Sequence, residues 1–451
     1  MRPQEKPLPG PPIERAAGGA PVVTSRSSIT LSGYYHLLRR NANFRRLWFA
    51  QLISGSGDWF YSVAIYDLLL RLTGSAKPVA IAVVLQILPI FIAGPTAGAV
   101  NDRLSRRRVI LVTDVIRAVL VLGMLFIEQR EQVWMLYLLL ALEVTTAAFF
   151  ESARNAVIPN LVAGADIPTA NAIGSTTWSV TVTAGAGLGG LAVSFFGRDL
   201  AFVMNSVSFL LAALFVARMQ FRETHLESLG TLRWREILGF APILEGFRYV
   251  ARDLRLAALL TLKFGLGILG ARVVLIAVIG SEELPLAGHS ALGMSVLFMF
   301  QGVGSIIGPL LVGPLVGARQ SRMRWAVLGG YLTAGVCYMI FSKAESLATA
   351  GLCLVGAHAG GALVWVFSTT LLHLNTDDRF RGRVFAADLG LFMVTASVAT
   401  YLCGWAIDYG VAARTAAFGV GLAMLFPSAA WALGIRTLWK SNGAVETRNN
   451  C

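Results

Sequence analysis

Twelve long apolar runs constrain the fold of this chain more than any other feature of its 451 residues. Each run holds 18 or more mostly apolar residues, close to the ~20 residues with which an α-helix crosses a hydrocarbon layer. Hydrophobic residues make up 55% of the chain and charged residues 14%. A bilayer can hold that much apolar surface, whereas a water-soluble core cannot. The sequence therefore predicts an all-α membrane protein. The predicted spans cover residues 47–70, 79–100, 109–127, 133–150, 173–196, 200–217, 256–280, 291–316, 325–342, 347–374, 384–407 and 411–438.

The spans form two groups of six separated by a polar stretch, which indicates an internal duplication. A short echo supports this, because Gly94-Pro95 in the second span is matched by Gly308-Pro309 in the eighth, and a basic loop follows each. We therefore expect two pseudo-symmetric six-helix bundles. The predicted domains are a disordered cytoplasmic tail (1–40), an N-terminal bundle (41–217), a cytoplasmic linker (218–255), a C-terminal bundle (256–438) and a cytoplasmic tail (439–451).

The linker contains a pattern typical of an amphipathic helix. Trp234, Ile237, Phe240 and Leu244 stand at helical spacing within residues 232–255, as in helices that lie on a membrane surface. A plain connector also fits this segment.

Lys and Arg are distributed unevenly between the two sides of the predicted membrane. With the N-terminus inside, inner segments hold 29 of the 38 basic residues and outer loops hold 6. Cytoplasmic loops carry the excess of basic residues in membrane proteins, so both termini are predicted to be cytoplasmic and the protein to span the cell membrane. The net charge of +13 lies in these short loops rather than on a groove-facing surface, which argues against nucleic-acid binding.

The sequence gives no support for enzymatic or metal chemistry. The four cysteines have no spacing typical of a metal site or a disulfide framework. No GxxxxGK[ST], HExxH or GxSxG motif occurs. We therefore expect neither an enzyme nor a cofactor, and an energy source other than ATP.

An ordered set of short motifs resembles the major facilitator superfamily. Residues 98–108, Gly-Ala-Val-Asn-Asp-Arg-Leu-Ser-Arg-Arg-Arg, are similar to the loop signature G-x-x-x-D-R-x-G-R-R, with Ser105 in place of Gly. Residues 43–48, 56–60, 113–118 and 381–384 add further similarity. Together these motifs resemble the bacterial branch that includes enterobactin exporters and macrolide efflux proteins, over residues 40–438. In the fifth span, residues 185–190 resemble the antiporter motif G-P-x-x-G-G with Ala186 for Pro, and equally indicate close helix packing.

The basic loop is predicted to form a cytoplasmic gate. Asp102, at the inner end of the second span, would meet the partly positive N-terminus of the eleventh, and Arg103, Arg106 or Arg107 would pair with Asp388. Such a latch would favour an outward-open state; the alternative is that these arginines only fix topology. The predicted gate residues are Gly98, Asp102, Arg103, Arg106, Arg107, Arg381, Arg383 and Asp388.

Ionisable residues deep in the spans are the candidates for substrate or proton binding. A charge at the centre of a span costs roughly 2.5–3.5 kcal/mol, so it usually faces a cavity or a partner. The five candidates are Asp58, Glu143, Lys263, Arg272 and His358. They fall on the first, fourth, seventh and tenth spans, which line the central cavity in the resembled fold. The alternative is that the acids form fixed pairs with Lys263 or Arg272. Asp114 and Arg117, spaced i, i+3 on the third span, are predicted to form an internal structural pair.

The function implied by these features is secondary transport. Asp58 or Glu143 would bind a proton in a dry cavity and release it when the site opens to water. The resemblance implies export of a small amphipathic molecule, such as a drug-like compound or siderophore, by proton antiport. Uptake, passage of lysophospholipids or a receptor role are the alternatives. The expected partners are the small-molecule substrate, protons and membrane lipids, and we expect a monomer.

Overall fold

The structure is a computed structural model that describes residues 31–163, 166–223, 241–317 and 319–439. Apart from one isolated bridge between Leu286 and His289, regular structure in these ranges is helical. The helices are α1 (Leu31–Arg40), α2 (Ala42–Thr73), α3 (Ala76–Asn101), α4 (Arg106–Gly123), α5 (Val133–Leu161), α6 (Ile167–Phe196), α7 (Arg198–Ala217), α8 (Ala241–Val250), α9 (Leu254–Glu283), α10 (Ser290–Val316), α11 (Gln320–Phe341), α12 (Leu347–Asn375), α13 (Asp378–Asp408) and α14 (Ala413–Leu438). A π-helical turn interrupts α6 at Thr181–Gly185, and a 3₁₀ turn interrupts α9 at Gly267–Ala271.

The long helices coincide with the predicted spans. Helices α2 to α7 correspond to the first six spans, and α9 to α14 to the remaining six. Within the described ranges, ten helices are long and apolar enough to cross a membrane. The other two long helices, α2 and α11, have 32 and 22 residues and carry five and two charged residues. The predicted all-α membrane fold is confirmed.

Residues 31–40 differ from the prediction of a disordered tail, because they form α1. Leu37 is 4% exposed and packs with Phe44, Val162 and Ile173. Arg45 also donates hydrogen bonds to the carbonyl oxygens of Leu38 and Arg39, at 3.0 and 3.2 Å. This mostly polar segment thus forms a helix and buries one apolar side chain, that of Leu37. The tails at 1–30 and 440–451 lie outside the described residues.

The linker contributes one short helix that packs against the second half. In α8, Glu245 pairs with Arg383 at 3.0 Å, and the ring of Tyr249 stacks on Phe380 at 4.3 Å. Leu244 is 50% exposed. The other residues of the predicted amphipathic pattern, Trp234, Ile237 and Phe240, lie outside the described residues.

The two halves meet through two equivalent pairs of helices. Helix α3 packs on α13, and α6 packs on α10; each pair joins the second helix of one half to the fifth of the other. Gly404 of α13 lies against Ala80 of α3, and Gly390 lies against Phe91, so α3 and α13 run in opposite directions. We call the end where α13 finishes the Asp408 end. The opposite end, which carries residues 101–108 and 379–383, is the arginine-rich end.

Candidate functional site

Three buried side chains and one partly exposed side chain of the first half, Asp58, form one hydrogen-bonded unit. We call it the Arg117 cluster: Asp58, Tyr61, Arg117 and Glu143. Arg117 Nε donates to Glu143 Oε1 at 2.7 Å. Its Nη2 donates to both carboxylate oxygens of Asp58, at 3.1 and 3.2 Å. The hydroxyl of Tyr61 donates to the other oxygen of Glu143 at 2.9 Å. One cation therefore holds two carboxylates from different helices.

The surroundings of this cluster are apolar on one side and accessible on the other. The guanidinium lies 4.0 Å from the centre of the Phe209 ring and 5.5 Å from that of Phe150. The side chains of Arg117 and Glu143 are 5% and 1% exposed, whereas that of Asp58 is 34% exposed. Asp58 is therefore the most exposed of the three ion-paired side chains.

The predicted internal pair between Asp114 and Arg117 is wrong. Arg117 turns its donors to Asp58 and Glu143, because these carboxylates approach it from α2 and α5. Asp114 is fully buried, and neither of its oxygens has a hydrogen-bond partner within the described part of the chain. The alternative that Asp58 or Glu143 pairs with Lys263 or Arg272 is also wrong. The i, i+3 spacing of Asp114 and Arg117 therefore gave the wrong partner. A better indication in the sequence is that Arg117 is the one basic residue inside the predicted spans of the first half, so the acids Asp58 and Glu143 have no other cation there to pair with.

The second half contains its own buried ion pair. Lys263 Nζ lies 2.5 Å from Asp388 Oδ2, with the two side chains 4% and 2% exposed. The same ammonium lies 4.4 Å from the centre of the Trp365 ring. The predicted pairing of Asp388 with Arg103, Arg106 or Arg107 is therefore wrong in this state, because Lys263 from α9 satisfies the carboxylate.

Two loop arginines predicted for the gate instead bind backbone and side chains of their own half. Arg106 Nη1 donates to the carbonyl oxygen of Ala156 at 2.8 Å and to Asn160 Oδ1 at 3.0 Å. Arg107 donates to the carbonyl oxygen of Ala217. Ser105 caps α4, its hydroxyl accepting from the backbone N–H of Arg108 at 3.3 Å, which the glycine of the loop signature cannot do.

The remaining predicted gate residues lie at the arginine-rich end. The side chain of Asp102 is 75% exposed and lies 3.8 Å from Arg106. Arg103 continues the turn after α3, its backbone N–H donating to Val100. Arg381 and Arg383 stand in the first turns of α13, and Gly98 has open space beside it.

Arg272 and His358 lie near each other on the second half. His358 Nε2 is 3.3 Å from the hydroxyl of Tyr338. Arg272 is half-buried, and its Nη1 donates to the carbonyl oxygen of Leu269 at 3.3 Å. The five predicted residues thus divide into three places: Asp58 with Glu143, Lys263 with Asp388, and Arg272 with His358.

The two halves are joined at the Asp408 end by contacts that the sequence did not predict. The Asp408 carboxylate accepts from the backbone N–H groups of Ala76 and Lys77, at 2.8 and 3.1 Å, and from the Ser75 hydroxyl. Ser290 donates to Asp67 Oδ1 at 3.0 Å. Gly190 of α6 lies against Ser295 of α10, with no room for a side chain. This end of the molecule is closed.

Comparison with known sequences identifies relatives among membrane transporters. Residues 47–388 match the family described as the Major Facilitator Superfamily. A putative bacilysin exporter of Bacillus subtilis is 26% identical over 362 residues, 79% of this chain and 87% of the exporter. An uncharacterized MFS-type transporter of Bacillus subtilis (strain 168) is 26% identical over 227 residues, 50% of this chain. The chain spans about half the length of that relative, 53%. Macrolide efflux protein A of Streptococcus pyogenes is 32% identical over 121 residues, 26% of this chain and 30% of that protein.

Solved structures share the fold at low sequence identity. A nucleoside transporter, NupG, superposes with a TM-score of 0.69 at 11% identity, covering 88% of this chain and 99% of its own. A bacterial homologue of the iron transporter ferroportin gives a TM-score of 0.60 at 18% identity, covering 86% and 97%. At these identities the likeness concerns the fold alone.

Proposed function

Because the chain belongs to the Major Facilitator Superfamily, we propose that it is a secondary transporter that exports a small amphipathic molecule across the cell membrane in exchange for protons. The family is one of transporters, and the relatives of this chain include efflux proteins. A drug-like compound or a siderophore is the proposed substrate type. The two halves, residues 41–217 and 256–438, would alternate between states open to either side.

The Arg117 cluster is the observation that carries this proposal. Arg117 pairs with two carboxylates, so the three groups carry a net charge of −1 when both acids are ionised and none when one of them is protonated. The partly exposed Asp58 is proposed to be the one that exchanges its proton with water. Protonation of Asp58 removes its charge from the guanidinium and weakens the pair. The strength of the contacts between α2 and α4 therefore depends on the protonation of one accessible group, which is the minimum that proton coupling requires.

The proposal also assigns each end of the molecule to one side of the membrane. The arginine-rich end is proposed to be cytoplasmic, because inner loops carry the excess of basic residues. The state described here is closed at the Asp408 end, so substrate would enter from the cytoplasm. In the reverse state the loop residues Asp102, Arg103, Arg106 and Arg107, with Arg381 and Arg383, would close the cytoplasmic side. The protein, acting as a monomer among membrane lipids, would need no cofactor.

Flux driven by a pH gradient tests the proposal. Inside-out membrane vesicles containing the protein receive an acidic lumen and a panel of labelled drug-like compounds and siderophores. We expect accumulation of at least one compound, collapse of that accumulation by a protonophore, and its loss in Asp58→Asn. The matched control is Asp199→Asn, because the Asp199 side chain is 66% exposed and pairs only with its neighbour Arg198 among the described residues.

The outcomes separate this proposal from the other roles for the same fold. Accumulation that is unaffected by the pH gradient or by Asp58→Asn contradicts proton antiport. Accumulation only when the gradient is reversed indicates uptake. Saturable binding of a compound without any flux indicates a receptor, and transfer of labelled lysophospholipid alone indicates a lipid carrier.

A further inference from the structure

Three basic residues lie inside the predicted membrane spans, and Arg272 differs from the other two in its partners. Arg117 pairs with Asp58 and Glu143, and Lys263 pairs with Asp388. For Arg272, no carboxylate among the described residues forms an ion pair, and its recorded hydrogen bond goes to the carbonyl oxygen of Leu269. A charge in the centre of a span costs roughly 2.5–3.5 kcal/mol without a partner or water. A cation that has no carboxylate partner among the described residues suits an anionic partner from outside the chain.

The groups around Arg272 form a polar and aromatic setting shared by both halves. The segment of α9 that begins at Arg272 contacts α2 and α3 of the first half and α10 and α13 of the second. Arg272 lies within electrostatic range of Tyr66, Tyr338 and His358. The Tyr66 hydroxyl donates to Gln86 Oε1 at 2.5 Å, and the Tyr66 ring lies 6.2 Å from that of Phe298. Hydroxyl, amide and imidazole groups thus lie beside apolar ring surface, which suits a molecule with one polar end.

Arg272 lies near the middle of α9, away from the Asp408 end of the molecule. It precedes Glu283, the last residue of α9, by 11 residues, or about 16 Å of helix. The 3₁₀ turn at Gly267–Ala271 directly precedes it, and Gly270 of that turn lies against the backbone of Ala396. Arg272 is half-buried, so the protein does not fully enclose its side chain.

We infer that Arg272 binds the anionic group, a carboxylate or phosphate, of an amphipathic organic anion, and that Tyr66 and Tyr338 border its apolar part. This inference rests on the proposed transport function, whose substrate class it names. A guanidinium matches a carboxylate or phosphate through two parallel N–H···O bonds. Binding of the anion would also supply the negative charge that α9 lacks at this position.

Binding of matched small probes to the purified full-length protein in nanodiscs tests the inference. The probes are indole-3-acetate, phenyl phosphate, uncharged indole-3-acetamide and cationic tryptamine, measured by calorimetry up to millimolar concentration. We expect at least one anion to bind ten times or more tightly than the amide and the amine. Arg272→Gln should lower the affinity for that anion at least tenfold and leave the amide unchanged, and Arg272→Lys should retain part of it. Whether indole-3-acetate or phenyl phosphate binds more tightly shows whether the site prefers a carboxylate or a phosphate.

Controls make each result decisive. Arg198→Gln removes a surface arginine that pairs only locally within the described residues, and it should leave every probe unchanged. Arg272→Gln should fold at least as stably as the wild type, because it removes an unpaired buried charge. Equal affinity for anion and amide, an equal loss of all probes in Arg272→Gln, or no binding of either anion overturns the inference.

The flux experiment distinguishes failure of this inference from failure of the proposed function. Proton-driven export of neutral or cationic compounds that persists in Arg272→Gln would leave the function standing and remove the anion site. Binding of an anion that depends on Arg272, together with no proton-driven flux of any compound, would support the anion site and contradict the proposed function.

Discussion

At the scale of residues, each ion pair inside the spans is confined to one bundle. The Arg117 cluster belongs to the first half, and the Lys263–Asp388 pair to the second. Ion pairs that are confined to one half need not break when the halves move relative to each other. Under the proposed proton antiport, these pairs would stay intact through the transport cycle while the protonation of Asp58 changes.

Removing Arg117 is expected to destabilise the protein strongly. Arg117→Met leaves Asp58 and Glu143 beside each other without a cation, and breaking a buried pair in this way costs about 3–5 kcal/mol. The triple variant Arg117→Met, Asp58→Asn, Glu143→Gln should recover much of that loss, because no uncompensated charge remains. The free energy of unfolding, measured by titration with sodium dodecyl sulfate in mixed micelles, checks both. A single variant as stable as Arg198→Gln would show that the cluster is not a buried ion pair.

The sequence located the buried charges but not their partners. Asp58, Glu143, Lys263 and Arg272 stood out because charges are rare in apolar runs. Which of them pair depends on how each helix is rotated about its axis. In helices surrounded by both lipid and protein, apolar periodicity carries little information on rotation. Arg117 was therefore assigned to its sequence neighbour Asp114, when its partners come from α2 and α5.

At the scale of elements, one carboxylate at the end of α13 caps a helix of the other half. Asp408 accepts from the first backbone N–H groups of α3, where a helix has unpaired donors and a partial positive charge. The predicted gate placed Asp102 against the start of α13. The observed contact joins the same two helices at their other ends, so the expected chemistry occurs with the roles of α3 and α13 exchanged.

Removing this cap is expected to open the Asp408 end. Loss of a helix cap costs about 1 kcal/mol, and a difference of that size shifts a two-state equilibrium about fivefold. Asp408→Ala should therefore enlarge the population open at this end. Nitroxide labels at Glu131→Cys and Glu345→Cys, one in each half and both exposed, report the opening as longer distances in double electron–electron resonance.

The control keeps the same two labels and removes a different carboxylate at the Asp408 end. Asp199→Ala removes an acid from the first turn of α7 that is not bonded to the other half, and it should leave the distances unchanged. The native cysteines are replaced in all variants. Identical distance distributions for Asp408→Ala and the wild type would mean that the cap does not hold the halves together.

At the scale of the whole molecule, the sequence predicted the number and order of the long helices well. Counting apolar residues locates a span because its length is set by the bilayer, and the charged ends of α2 and α11 moved boundaries without removing helices. What counting does not provide is the conformational state. Contacts such as Asp408 with Ala76, or Gly190 with Ser295, join residues far apart in the chain, and only the packed molecule shows which end they close.

The uneven distribution of Lys and Arg makes a prediction about orientation that concerns the whole chain. The arginine-rich end should face the cytoplasm, since inner segments hold 29 of the 38 basic residues. In a variant without native cysteines, Glu131→Cys lies in the loop between α4 and α5, at the Asp408 end. Arg252→Cys follows α8 at the other end. A membrane-impermeant maleimide should label Glu131→Cys in intact cells and Arg252→Cys only after permeabilisation. The opposite pattern would contradict this orientation, and the Asp408 end would then be the cytoplasmic one.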